Sequence, residues 1–307
     1  MAHRLQQVAA RCHLIKYNES IFMSVSEEKS SPKEYVKNCP YCDESDERII
    51  WKNKRGYNIV RCKKCGFVYR NPRYMRSKQD DIFTKEWTER TGDFHLTDYR
   101  EYNLRRIAKY IQTRRQGGAL LDVGCSYGVF FSLFNNTWEF TGIEPSLSAS
   151  QIASRNFPNA KIINNTIENA SLPEGSFDVI TIVDTIYYVS QPLEIFKKCY
   201  KWLNSSGRLI IESPNFSNRY YYYRLIGHNF DETWTNFYTP KTLIKLLDKA
   251  VFKKEDIFHI KSHSVGNKNP IIKLLVNIEY VLGNFIWKLS FKKIDLCPHF
   301  VLVSIKK

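Results

Sequence analysis

The stretch Leu120-Leu121-Asp122-Val123-Gly124-Cys125-Ser126-Tyr127-Gly128 constrains this chain more than any other, because it joins a fold to a ligand site. An apolar run ending in a carboxylate, a glycine-bearing turn and the apolar residues 129–134 predict a strand, a loop and a helix. Glycine at 124 and 128 lets the backbone approach a ligand closely, and the helix start behind them offers unpaired N–H groups. A second apolar run, residues 140–143, ends at Glu144-Pro145, twenty residues past Gly124. That spacing sets a carboxylate where a ribose diol would lie, so the expected ligand contains adenosine.

The loop reads D-x-G-x-S-x-G, not the G-x-G-x-x-G that cradles a dinucleotide pyrophosphate. Asn165-Thr166-Ile167-Glu168 follows, then a strand opening on Phe177-Asp178-Val179 and closing at Asp184. Residues 192–203 predict a helix with Leu193, Phe196, Tyr200 and Leu203 on one face. It stops at Asn204-Ser205-Ser206-Gly207, and Arg208 to Asn215 predicts a further strand. In this order the segments resemble the class I S-adenosylmethionine-dependent methyltransferases, whose loop is usually D-x-G-x-G-x-G and whose fifth strand reads G-x-L-x-I-x-x-P-N. Ser126 departs from the middle glycine. The resemblance implies an α/β, Rossmann-like class I methyltransferase sheet. It puts Asp122, Gly124, Ser126 and Gly128 at the methionine side of S-adenosyl-L-methionine, Glu144 at the ribose hydroxyls, and Thr166, Ile167 and Glu168 at the adenine edge. Asp184, at the carboxyl end of strand four, is expected to touch the cofactor or the acceptor.

Cysteine spacing is the second strong signal. Cys39-Pro40-Tyr41-Cys42, nineteen intervening residues, then Cys62-Lys63-Lys64-Cys65 match the pattern of a four-thiolate Zn2+ site. Residues 48–51 and 57–60 predict a hairpin between the pairs, giving a small N-terminal zinc ribbon. A module of this size has too little core to fold alone, and a structural zinc supplies on the order of 10 kcal/mol or more. Two disulfides or a redox pair are the competing readings. The ribbon text, including Cys65-Gly66-Phe67-Val68-Tyr69-Arg70-Asn71-Pro72, resembles the N-terminal segment of a bacterial-type methyltransferase group. That likeness implies sugar or other small-metabolite acceptors.

The expected organisation is an extension over residues 1–38, the ribbon over 39–75, a linker and covering helix over 76–116, and the cofactor domain over 117–307 with a helical insertion at about 216–296. The start of the chain is basic and free of acids, which fits either a weak targeting peptide or an initiator at Met23. Tyr99 or Arg100, near the start of the covering helix, is a candidate for touching the methionine end. Thr239-Pro240 caps a helix with Leu243, Leu246 and Leu247 inward. Residues 271–291 carry an apolar stripe, read as a lid or dimer contact, with membrane-surface contact as the alternative.

No run of eighteen apolar residues predicts a transmembrane segment, and a cytoplasmic location is expected. A net charge of +15 favours anionic partners. On the acceptor side, relatives commonly carry Glu and His where this chain has Tyr187 and Tyr188. Three explanations compete: an acceptor needing no strong base, a base supplied elsewhere, or a cofactor binder without activity. Asp184 and then His228 are the candidate catalytic residues, and the Tyr-rich run at 219–224 either lines an acceptor pocket or packs as an edge. The expectation is methyl transfer from S-adenosylmethionine to oxygen or carbon of a small polar acceptor, such as a sugar. The alternatives are an RNA methyltransferase and a non-catalytic partner subunit.

Overall fold

A computed structural model describes residues 32–75, 98–218, 220, 230–261 and 270–307. The N-terminal part holds β1 (Lys33–Glu34), β2 (Glu47–Trp51), β3 (Ile59–Cys62), β4 (Val68–Arg70) and β5 (Arg73–Tyr74). Next come α1 (Asp98–Arg114), β6 (Gly118–Val123), β7 (Trp138–Ile143), α2 (Leu147–Asn156), β8 (Lys161–Ile163) and β9 (Phe177–Ile182). The chain continues through α3 (Pro192–Trp202), β10 (Leu203–Pro214), β11 (Asn236–Phe237), α4 (Pro240–Lys249), β12 (Phe252–Ile260), α5 (Pro270–Leu289) and β13 (His299–Lys306).

Seven strands form one sheet in the order β12-β13-β10-β9-β6-β7-β8, parallel from β10 to β8, with β13 antiparallel to both its neighbours. Strand order reverses between β6 and β9, the switch point at whose carboxyl end α/β sheets bind ligands. The central strands β6, β9, β10 and β13 are apolar on both sides, as strands covered on two faces require. Alternate residues divide cleanly. Leu121, Val123, Ile180, Ile182, Leu209 and Ile211 pack with Ile195 and Phe196 of α3 and Leu243 and Leu246 of α4. Leu120, Val179, Ile210, Val301 and Val303 face Leu104, Ile107 and Ile111 of α1.

Two local expectations shift. The helix expected after the glycine loop is a single 3-10 segment, Val129–Leu133, with all five residues buried. A segment with no polar face has no solvent side, and strand β7 starts shortly after it, so an amphipathic α-helix has no room to propagate. In α3 the buried stripe is Ile195, Phe196, Cys199 and Trp202 rather than the face predicted from Leu193. Leu193 and Tyr200 pack at its margin. Thr239 caps α4 as expected, in a reciprocal box with Thr242, and Leu243, Leu246 and Leu247 are buried.

The ribbon hairpin β2–β3 forms with β4, and the fourth strand of that sheet is β11, which arrives from beyond β10. Arg70 fastens this junction. Its buried guanidinium donates to the carbonyls of Tyr57 at 2.6 Å, Asp231 at 2.7 Å and Trp234 at 2.8 Å. Within the expected extension, β1 pairs antiparallel with β5, and Glu34 meets Arg73 at 2.9 Å. The expected insertion contains β11, α4 and β12, so two of its elements belong to the main sheet or pack on it.

Candidate active site

The glycine loop leaves β6 with Gly124, Ser126 and Gly128 all at positive φ, 76°, 50° and 75°. Glycine is required at 124, because a Cβ there would stand 2.3 Å from Thr185 Oγ1. The loop is drawn toward the end of β7 by Gly124 N–H, which donates to the Ile143 carbonyl at 2.8 Å. Glu144 then gathers two backbone amides, Ser126 N–H and Ser146 N–H, each at 2.9 Å. Asn164 Nδ2 donates to the Glu144 and Pro145 carbonyls at 3.0 and 2.9 Å, which brings the turn at 164–168 beside them. Lys198 holds that turn from α3, donating to the carbonyls of Ile167 at 3.3 Å and Ala170 at 3.1 Å and also to that of Glu168.

Asp122 lies opposite Thr181 in the parallel pairing of β6 with β9 and accepts its hydroxyl at 2.7 Å. Asp122, Gly124, Cys125 and Ser126 line a narrow cleft together with Arg100 and Val183. Asp122, Gly124, Ser126 and Glu144 thus lie at the carboxyl ends of β6 and β7, with Gly128 closing the loop and the turn bearing Thr166, Ile167 and Glu168 following β8 beside them. Tyr99 and His228 lie outside the residues whose side chains are described.

Burial pushes the Asp122 carboxyl up to about 7, with the Thr181 hydroxyl opposing and the Glu144 charge adding to the rise. Burial likewise pushes Glu144 up to about 7, against the Ser146 and Ser126 amides. Both folded values exceed the unfolded ones, so the folded chain binds extra protons between about pH 4 and 7. We predict that the ligand-free protein loses thermal stability as pH rises through about 7, measured by scanning calorimetry. Substituting Asp122 by asparagine should flatten that dependence; an unchanged profile would remove Asp122 as its source.

Asp184 stands at the carboxyl end of β9 in a left-handed conformation, φ 54°. Its N–H donates to Glu212 Oε2 at 2.9 Å, and Arg100 Nη1 lies 3.9 Å from its carboxylate. Glu212 is fully buried in β10, with His299 Nδ1 2.6 Å from its other oxygen. Burial first, then the charge of Asp184, raises the Glu212 carboxyl well above its usual range. Sequence reading missed Glu212 and His299. A charged residue after the apolar run Leu209-Ile210-Ile211 was a usable signal for the first; nothing in sequence marked the second.

Beyond Asp184 the chain turns through Tyr187, whose ring sits 4.5 Å from Trp234. Tyr187, Phe216, Phe230, Trp234, Phe237 and Tyr238 cluster around a narrow hollow at the end of β10. Asn236 Oδ1 and the Tyr238 hydroxyl are buried in its wall without a hydrogen-bond partner. Of the tyrosine run expected at 219–224, Tyr220 is described, and its ring packs on Trp51 and Phe216.

Cys39, Cys42, Cys62 and Cys65 bring their sulfurs within 4.8 Å of one another. Cys39–Cys65 and Cys42–Cys62 are each 3.6 Å apart. A disulfide needs about 2.05 Å. Four thiolates around one ion at about 2.3 Å would stand roughly 3.8 Å apart, so the donor set and spacing fit tetrahedral zinc.

Comparison with known proteins bears on what this arrangement does. The family described as methyltransferase domain matches residues 95–256. A ubiquinone biosynthesis O-methyltransferase of Psychrobacter cryohalolentis is 24% identical over 219 residues, covering 61% of this chain and 82% of that protein. One from Haemophilus ducreyi is 26% identical over 188 residues, covering 53% and 77%. Among solved structures, a chain in the complex of the Haloferax volcanii Trm112 methyltransferase activator with a methyltransferase superposes with a TM-score of 0.51. It is 11% identical and covers 76% of this chain and 99% of its own, a likeness of fold alone.

Proposed function

Given that the chain belongs to the methyltransferase-domain family and is an S-adenosylmethionine-dependent enzyme, we propose that it methylates an oxygen of a small hydroxylated ring compound seated in the aromatic pocket. The observation that carries this reading is the pocket itself. Six aromatic side chains cluster at the carboxyl end of β10, packed largely on one another, so an acceptor ring would enter by displacing one of them, with unpaired Asn236 Oδ1 and Tyr238 hydroxyl as polar contacts to its substituents. The relatives at 24–26% identity carry an O-methyltransferase name, which agrees with oxygen as the acceptor atom.

S-Adenosylmethionine, when bound, supplies an electrophilic methyl carbon on sulfur. Asp122, Gly124, Ser126 and Gly128 would hold its methionine end, Glu144 its ribose hydroxyls and residues 166–168 its adenine. Asp184 follows Val183, which lines the cofactor cleft, and precedes Tyr187, which lines the aromatic cluster. In this reading its carboxylate would take the acceptor hydroxyl proton. Glu212 fixes Asp184 through its backbone N–H, and Arg100 steadies its carboxylate. The Tyr187 phenol is raised far above its usual range by burial, so it stays a neutral donor rather than a base. In the ribbon, Cys39, Cys42, Cys62 and Cys65 would hold zinc as a structural ion.

Labelled methyl transfer into separate pools of phenolic and sugar-nucleotide acceptors tests the reading and separates the two ring classes. Trp234→Ala should raise the acceptor KM roughly tenfold or more while leaving cofactor affinity within about twofold, since one aromatic face contributes about 0.5–1.5 kcal/mol beyond its buried area. A variant with normal acceptor kinetics would place the acceptor elsewhere.

A further inference from the structure

Helix α5 has its amphipathic character inverted. The side that meets the protein carries Tyr280, whose hydroxyl accepts from Arg106, and Gly283, where an added Cβ would lie 2.8 Å from Cys297 Sγ. Trp287 closes that side edge-on against His259, ring centroids 4.9 Å apart. The outer side is apolar: Leu274 is 59% exposed, Ile278 43%, Val281 61%, Leu282 53%, Phe285 57% and Leu289 63%. Their spacing keeps them on one stripe, about 22 Å long at 1.5 Å per residue. Phe291, at 87%, extends the stripe with Ile294 and Leu296 beyond the helix end.

A folded domain in water turns such a stripe inward, and contiguous apolar patches of this extent mark contact surfaces. The exposed charges described around it are basic. Lys288, Lys292 and Lys293 are exposed at its C-terminal end, whereas Glu279 and Asp295, the acids described between 274 and 296, are partly buried. We propose that α5 and the turn after it dock this protein on a bilayer surface containing anionic lipid, with the apolar stripe in the acyl boundary and the lysines among headgroups. Self-association is the less suited occupant, because it would bring together two chains that each carry a net charge of +15. No described helix is long and apolar enough to cross a membrane, so contact in the plane of the interface is the mode that fits.

Sedimentation of the full chain with phosphatidylcholine vesicles, and with vesicles also containing phosphatidylglycerol, tests this directly. The protein should pellet with the anionic vesicles, less with neutral ones, and progressively less as salt is raised. The double substitution Leu282→Ser with Phe285→Ser should lower partitioning roughly a hundredfold or more, two buried side chains' worth. Lys292→Glu with Lys293→Glu should lower it roughly tenfold or more, on anionic vesicles only. Both variants should bind S-adenosylmethionine as the parent does, which reports their folding and keeps this result separate from the acceptor reading. Failure of the parent to pellet with anionic vesicles would overturn the proposal. So would serine variants that pellet unchanged, or a dimer in light scattering that the serine variant dissociates while neither protein binds vesicles.

Discussion

Replacing Glu144 by alanine is expected to raise the dissociation constant for S-adenosylmethionine at least tenfold, and nearer a hundredfold if the glycine loop loosens as well. Two effects add. The first is the direct loss of a carboxylate proposed to accept from the ribose hydroxyls, where a charge-assisted bond contributes about 1.5–3 kcal/mol. The second is indirect: Glu144 is buried at the end of β7 and holds the amides of Ser126 and Ser146, so its removal strands two donors and frees the loop that would grip the methionine end. Glu144→Gln separates the two. Its amide oxygen can keep one of those backbone bonds, so the loop should survive in part while the ribose contact loses its charge, and affinity should fall between the other two proteins. Calorimetric titration with S-adenosylmethionine and S-adenosylhomocysteine reads the affinities, and circular dichroism on heating reads the fold. Parental affinity in a folded alanine variant would remove Glu144 from the cofactor site.

Stripping metal from the four-cysteine cluster, or substituting Cys62 and Cys65 together by serine, is expected to abolish acceptor turnover while sparing cofactor binding. The reason lies in the shared sheet. Strand β11 pairs with β4 of the ribbon, Asn236 opposite Tyr69 and Phe237 opposite Val68. The same segment supplies Trp234, Asn236 and Phe237 to the proposed acceptor site. Arg70 ties the ribbon to the carbonyls of Asp231 and Trp234. If the four cysteines hold a structural ion, its loss would leave the ribbon too little cross-linking to hold that register. Displacement of the pocket wall by about 1 Å costs on the order of a hundredfold in kcat/KM. The cofactor cleft rests on β6 and β9 and should keep its affinity within a few-fold. Zinc content, methyl transfer and cofactor titration on one preparation decide the matter. Turnover that persists in demonstrably metal-free protein would show that the ribbon does not shape the pocket.

Sequence alone determined the elements whose signal is local. Continuous apolar runs set the central strands, because a strand covered on both faces needs apolar side chains on both. The glycine at 124 and the acid at 144 were readable because backbone geometry and ligand chemistry leave few substitutes at such positions, and the paired C-x2-C spacing because thiolates must meet at one point. The length of the segment after the glycine loop was not readable, since a fully apolar run fits a buried 3-10 turn as well as a helix. Neither was the outward direction of the stripe on α5: periodicity finds a face but does not say which way it turns. What only the tertiary structure decided are the long-range meetings. Glu212 with Asp184 and His299, Arg70 with the 231–234 carbonyls, and β11 in the ribbon sheet join residues far apart in the chain. Their partners are chosen by strand order and by the demand that buried polar groups be paired, and neither leaves a mark at the residue itself.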